Sequence, residues 1–242
     1  MRRLKPLLIV RAGKTFPAIE AKIGDFPDWI AAGLGALSVP LEVVDPQSQH
    51  LPAEPSGVVI TGSHAMVTDR EGWSEAVAGW LRGLVERKIP VLGICYGHQL
   101  LAQALGGSVA FHPGGIEIGT VRIRSTAACA GDPVLGHLPG IFPAQVVHRQ
   151  SVAALPPGAV VLAANDFEIH HAFRFGQSAW GVQFHPEFST AAMKGYIAHL
   201  AEDLAAEGRD PTSLDAVIEP TPDSAWILRA FGSLVEDRYI GT

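Results

Sequence analysis

Cys95 and His185 are the side chains whose sequence surroundings suit them to act together as nucleophile and base. Cys95 lies in Gly-Ile-Cys95-Tyr-Gly, with Gly93 and Gly97 two residues away on either side. A glycine-bounded cysteine between a strand and a helix has the logic of a nucleophile elbow, because glycines permit the sharp turn that lifts a reactive atom clear of a sheet. The helix that follows turns its amide-rich end toward the sulfur, an arrangement that favours thiolate. A buried cysteine in an ordinary crossover is the plain alternative, since free cysteine is among the most buried residue types. A second stretch, Gly181-Val-Gln-Phe-His185-Pro-Glu187, separates the two readings. Its apolar run stops at His-Pro-Glu, and residues two apart in extended backbone share a face, so Glu187 can hydrogen-bond the His185 imidazole. A histidine–proline pair alone says little, because proline ends strands. With the elbow it completes the order Cys95, His185, Glu187, the set needed for thiol-based acyl transfer.

Positioning these groups requires a strand before the cysteine and a helix after it. Residues 89–106 supply both, with Val91, Leu92 and Ile94 as the buried run and Leu100, Leu101, Ala104 and Leu105 at helical spacing. Further strands are expected at 6–10, 41–44 and 57–61. Helices are expected at 26–37 and 73–88, and residues 11–25, with Gly13, Pro17 and Gly24, read as a loop. The alternation predicts an α/β fold, a doubly wound, mostly parallel sheet flanked by helices, with active sites at the carboxyl ends of its strands. Residues 108–111 and 119–124 are β-rich around a turn at Gly114-Gly115. Past about residue 189 the composition shifts to Ala, Leu and charge, predicting amphipathic helices at 191–207 and 225–236 with a proline-containing connection at 211–222. The expected organisation is one domain, 1–242, with this helical C-terminal extension.

Gly-Ile-Cys95-Tyr-Gly-His-Gln99 together with Gly-Val-Gln-Phe-His185-Pro-Glu187 resembles the paired signature of class I (triad-type) glutamine amidotransferases. The resemblance runs from about residue 6 to about 190, and the chain looks like a stand-alone glutaminase-domain member similar to the amidotransferase domain of GMP synthase. It implies a flavodoxin-like fold, with Cys95 attacking the side-chain amide of glutamine, ammonia leaving, and water hydrolysing the glutamyl thioester. His185 is then the base and Glu187 its support. The resemblance also implies oxyanion-hole amides near Gly62 and Ser63 and at Tyr96; taken without the other motifs, Gly62-Ser63-His64 would read equally well as a plain turn. Gln99, four residues after the nucleophile, is implied to hold substrate; a surface helix glutamine is the alternative. Residues 145–152 read Gln-Val-Val-His148-Arg-Gln-Ser-Val, where many members carry Ser-His-Gly-Asp and grip glutamine through backbone groups. His148 fits as a substrate-binding residue. Val147, Arg149 and Gln150 depart from the pattern, which leaves a γ-glutamyl compound other than glutamine open. No cofactor and no metal are implied.

The remaining polar residues carry weaker signals. His64 is a loop histidine the family does not demand, and Thr68-Asp69 and Trp73 are explained by a helix cap and a core aromatic. Cys129 has no base candidate near it in sequence. His170-His171 is a tempting metal pair, yet adjacent strand residues point to opposite faces.

A chain of 242 residues suffices for a full core. Hydrophobic residues at 48% and charged residues at 17% are those of an ordinary globular protein, and no apolar run reaches membrane-spanning length. The start, Met-Arg-Arg-Leu-Lys, precedes an apolar patch too short for a signal peptide. A net charge of −6 without a basic run argues against a nucleic-acid partner, and no phosphate-binding Gly-x-x-x-x-Gly-Lys-Ser/Thr loop is present. Two cysteines make no disulfide framework, and a working thiol needs reducing surroundings, so the expected compartment is the cytoplasm.

The expected activity is a thiol hydrolase of the γ-glutamyl amide of glutamine or a related γ-glutamyl compound. One alternative is a glutaminase subunit that delivers ammonia to a separate synthetase; another is a non-catalytic binding protein on the same fold. A peptidase-like or chaperone-like thiol enzyme is a further one, but such relatives place their histidine close after the cysteine. Here the close candidate, His98, has no carboxylate beside it in sequence.

Overall fold

The computed structural model describes residues 5–240, so residues 1–4, where the leader reading begins, and 241–242 lie outside the described residues. Four short strands have every residue buried: β1 (Leu7–Val10), β3 (Gly57–Ile60), β4 (Val91–Ile94) and β11 (Ala179–Val182). Strands apolar on both sides need covering on both faces, as in a doubly wound sheet. With β2 (Leu41–Val44) they form the parallel half, in the order β2-β1-β3-β4-β11. Beyond β11 the sheet continues antiparallel through β10 (Ala172–Phe175), β9 (Val160–Ala164), β6 (Glu117–Ser125) and β7 (Ile141–His148). A separate ribbon pairs β5 (Ser108–Phe111) with β8 (Gln150–Ala154).

On one face, Leu7, Ile9, Leu92 and Trp180 pack with Ile30 and Leu34 of α2 (Phe26–Leu34) and with Leu228 and Phe231 of α8 (Pro222–Ile240). On the other, Leu8, Val10, Val58 and Val91 meet Val77 and Leu81 of α3 (Gly72–Glu86) and Leu100 and Leu101 of α4 (Tyr96–Ala104). A third cluster joins Ile19 of α1 (Pro17–Ile23), Phe26, Phe188, and Met193 and Tyr196 of α5 (Thr190–His199). It closes over the carboxyl ends of the parallel strands.

Several boundaries differ from expectation. The helix expected at 26–37 stops at Leu34, where Gly35 turns to φ 74°. The 11–25 loop contains α1, which Pro17 starts at a position where its missing N–H costs nothing. The helix expected at 191–207 is two, α5 and α6 (Ala201–Ala206), broken at Leu200. The 211–222 connection contains α7 (Pro211–Ala216), capped by the Asp210 carboxylate on the amides of Thr212 and Ser213. No helix among the described residues is long and apolar enough to cross a membrane.

Candidate active site

The topology removes the sequence distance between the two motifs. β3, β4 and β11 are neighbours running in one direction, so the residues after Ile60, Ile94 and Val182 emerge together at one edge. Cys95 continues the ladder by donating its N–H to the Val182 carbonyl at 2.9 Å, then turns at once into α4. Its φ of 50° and ψ of −100° place it in a region that glycine favours, the strained geometry of an elbow. The flanking glycines are required for a different reason, close approach. A Cβ on Gly93 would lie 2.3 Å from the Gly97 carbonyl oxygen, and one on Gly97 would lie 2.6 Å from that of Ile60.

The His185 imidazole is buried among aromatic rings, stacked on Phe188 at 4.1 Å and facing Phe26 at 6.3 Å. Its Nδ1 bonds Glu187 Oε1 at 2.8 Å. The expected pair is therefore present, but not across an extended strand. Chain beyond Val182 bends, and the Phe188 N–H donates to the His185 carbonyl at 3.3 Å, closing a turn through Pro186 and Glu187. Nε2, the other ring nitrogen, has no hydrogen-bond partner. Burial alone would favour the neutral ring, but the charges of Glu187 and Cys95 outweigh it and push the His185 pKa up to about 10. The sulfur thus lies within electrostatic reach of the ring.

Both groups open onto a cavity of about 240 Å³, small beside the several hundred Å³ typical of drug-sized ligands. Phe16, Phe26, Met66 and Leu200 give it apolar walls, while Ser63, Gln99 and Arg149 supply polar ones. Tyr96 begins α4, so its N–H has no intrahelical acceptor, and its phenol is turned to Ser74 Oγ at 2.6 Å. Gly62 stands behind the imidazole, where an added Cβ would be 3.0 Å from His185 Cε1.

Gln99 and His148, expected as binding residues, are already tied into the wall. Gln99 is buried, not on a surface, and its Nε2 donates to the Gln150 carbonyl at 2.7 Å and to Gln183 Oε1 at 3.0 Å. His148 spends both ring nitrogens, Nδ1 on the Gln150 carbonyl at 3.0 Å and Nε2 on Glu117 Oε2 at 2.9 Å. What their stretch turns toward Cys95 is backbone, since the Val147 carbonyl lies 3.7 Å from Cys95 Sγ. Arg149 adds a side chain at the cavity, held by Glu207 at 2.6 Å.

The lesser candidates resolve simply. His98 is wholly buried against Phe173, its pKa driven down to about 3 by burial. His64 stacks on Phe16 and meets the Tyr196 hydroxyl at 3.2 Å; burial, then the charges of His185 and His199, lower its pKa. Cys129 is buried, with its thiol donating to the Leu135 carbonyl and its pKa pushed up to about 11 by burial. His170 and His171 lie in a turn and not in a strand, and they diverge: His170 Nδ1 bonds the Val152 carbonyl, and His171 Nε2 stands 3.3 Å from Glu117 Oε2. No group of three or more His, Cys, Asp or Glu side chains among the described residues is arranged to hold a metal ion. Glu117, Asn165, Phe16 and Tyr196 had no sequence signal. Each reaches the site through a contact between distant parts of the chain.

Residues 23–201 match the model of the glutamine amidotransferase class-I family. A relative named GMP synthase [glutamine-hydrolyzing], from Leifsonia xyli subsp. xyli, is 38% identical over 136 residues, 55% of this chain and 26% of the relative. The chain thus spans about a quarter of that relative's length. A crystallised glutamine amido transferase from Methylobacillus flagellatus superposes with a TM-score of 0.72 at 26% identity, covering 98% of this chain and 95% of that one. A glutamine amidotransferase from Thermotoga maritima superposes with a TM-score of 0.73 over 98% and 99% of the two chains, a likeness of fold at 22% identity.

Proposed function

The chain belongs to the class-I glutamine amidotransferase family, and on that premise we propose that it cleaves the γ-glutamyl amide of glutamine or a related γ-glutamyl compound through a thioester on Cys95. The observation that carries this reading is the fixed His185–Glu187 pair with an unpartnered Nε2 beside the cysteine at the elbow. Nε2 holds the proton given up by the thiol, and the sulfur attacks the amide carbon. The oxygen becomes negative, and the amides of Tyr96 and of Gly62 or Ser63 are the donors placed to stabilise it. The imidazolium then gives its proton to the nitrogen as the C–N bond breaks, leaving glutamyl thioester and free ammonia or amine. Water, deprotonated by the same Nε2, attacks the thioester and releases glutamate. Gln99 and the His148 segment form the substrate-binding wall. These steps call on no cofactor or metal, and we read the helices beyond residue 189 as part of the same single domain, a reading supported by Tyr196 and Leu200 lining the cavity. A reactive thiol is suited to a reducing compartment, and we assign the reaction to the cytoplasm on that ground.

The decisive experiment incubates the purified chain with glutamine and, separately, with γ-glutamyl peptides, measuring glutamate against a Cys95→Ala control. Cys95-dependent release is expected from at least one; equal release by the variant would refute the assignment. A second version, in which the ammonia passes to a synthetase, draws on the likeness to a relative named GMP synthase [glutamine-hydrolyzing]. Stimulation of glutaminase activity by a co-purifying synthetase is its expected mark.

A further inference from the structure

We infer that Glu117 is a positioning residue for the active site: its buried carboxylate, paired with His148, fixes the backbone of residues 147–150 against Cys95 and Gln99. What that wall does rests on the thiol-hydrolase reading above; the ion pair rests on geometry alone.

Glu117 opens β6 and stands in register with His148 at the end of β7. Their side chains are 8% and 1% exposed. Glu117 Oε2 meets His148 Nε2 at 2.9 Å, Oε1 accepts from Asn165 Nδ2 at 2.7 Å, and His171 Nε2 stands 3.3 Å from Oε2. A carboxylate withdrawn from water needs such partners. Burial would raise the Glu117 pKa, but the His148 and His171 rings hold it well below the usual carboxylate range. On its other side, His148 Nδ1 faces the Gln150 carbonyl, which can only accept, so Nδ1 carries hydrogen. One hydrogen must also lie between Nε2 and Glu117 Oε2, so both ring nitrogens of His148 are engaged within the cavity wall. The other groups around His148 are the Phe167 and His171 rings, each at 6.2 Å, and, through the shared carbonyl, Gln99.

The consequence reaches the nucleophile through two carbonyls. Gln150 O receives hydrogen bonds from both His148 and Gln99, and so ties the wall to α4 one turn past Cys95. Val147 O, just before the fixed ring, faces Cys95 Sγ. The Gln150 side chain continues the chain of contacts to Thr68 Oγ1 at 2.6 Å. Removing the Glu117 charge weakens the bond at His148 Nε2 and loosens this segment without touching His185 or Glu187.

The test has two arms. In histidine-15N-labelled wild-type protein at pH 8, His148, assigned by the resonances lost in His148→Gln, is expected to show both ring nitrogens protonated. A neutral-tautomer pattern would overturn the ion pair, and this arm is independent of activity. In the second arm, Glu117→Gln is expected to raise KM for the γ-glutamyl substrate about tenfold, with kcat changed less than threefold. Alkylation of Cys95 by iodoacetamide should stay within twofold of wild type. An unchanged KM in folded variant, or a rise in KM accompanied by a comparable fall in alkylation and kcat, would overturn the positioning role. Should Glu117→Gln fail to fold, Asn165→Ser, which removes one donor to the carboxylate, is read in the same way with a threefold rise in KM expected. If wild type releases no glutamate from any γ-glutamyl substrate, the functional reading fails, while the nitrogen resonances still decide the ion pair.

Discussion

Ile94 and Val182 stand directly opposite one another at the ends of two parallel central strands. That register puts the cysteine one residue beyond one strand and the histidine three beyond the other at a common edge. The hydrogen bond from Cys95 N–H to the Val182 carbonyl then locks the elbow to the neighbouring strand.

The backbone of Cys95 sits where glycine is at ease and other residues are strained by about 1–3 kcal/mol. Cys95→Gly is therefore expected to be at least as stable as Cys95→Ala, although it buries less side chain, while both lose turnover. Thermal unfolding of the two variants checks this. A Cys95→Gly protein melting well below Cys95→Ala would show that the position carries no backbone strain.

Gly62→Ala should injure catalysis more than stability. Its new methyl would lie 3.0 Å from His185 Cε1, and the ring is the part able to shift. Misplacement of a reacting group by ~1 Å can cost about 10²-fold, so a shift of a few tenths of an ångström is expected to lower kcat about tenfold. A Tm within a few degrees of wild type should accompany it. Full activity would mean that the imidazole has more room than this packing gives it.

Gly97→Ala makes the opposite case, because its Cβ would meet the Ile60 carbonyl and side chain, which cannot rotate away. Overpacking of this kind costs about 1–3 kcal/mol or more. For a chain of this size each kcal/mol lowers Tm by roughly 2–4 °C. A drop of at least ~5 °C in calorimetry is expected, with soluble yield falling alongside it.

The raised His185 pKa links the site to stability. A group whose pKa rises on folding stabilises the fold fully below its ordinary value near 6.5, and that contribution is lost as pH climbs through about 10. The stability gap between wild type and His185→Gln, from urea unfolding at pH 6, 8 and 10, should shrink at each step. A gap that stays constant would mean that the ring is neutral throughout.

Much of this site was legible because its key residues carry local rules. Gly93 and Gly97 announce the elbow within five residues, and the wholly apolar runs around 58–60 and 91–94 announce buried parallel strands. Glu187 was found for a reason that the structure replaces: a turn, and not a shared strand face, brings it to His185. Glu117 was not found at all. Its partners come from β7 and from the 165–171 loop, and no period or spacing within a short window encodes such a meeting. The break at Leu200 was missed for a related reason. Alanine-rich sequence on both sides propagates helix equally well, and Leu200 packs in the third cluster, beside Phe188 and Tyr196.

The middle of the sheet is filled in an order unlike the order of the chain. β4 is flanked by β3 and β11, yet β11 is the last strand to be made. During synthesis, Val91–Ile94 therefore spends the whole interval in which residues 95–178 emerge with one backbone edge unpaired, a few seconds or more at about 5–20 residues per second. An open edge of this kind invites pairing with another chain. The strand that delivers the histidine is thus also the one that seals the nascent protein against aggregation.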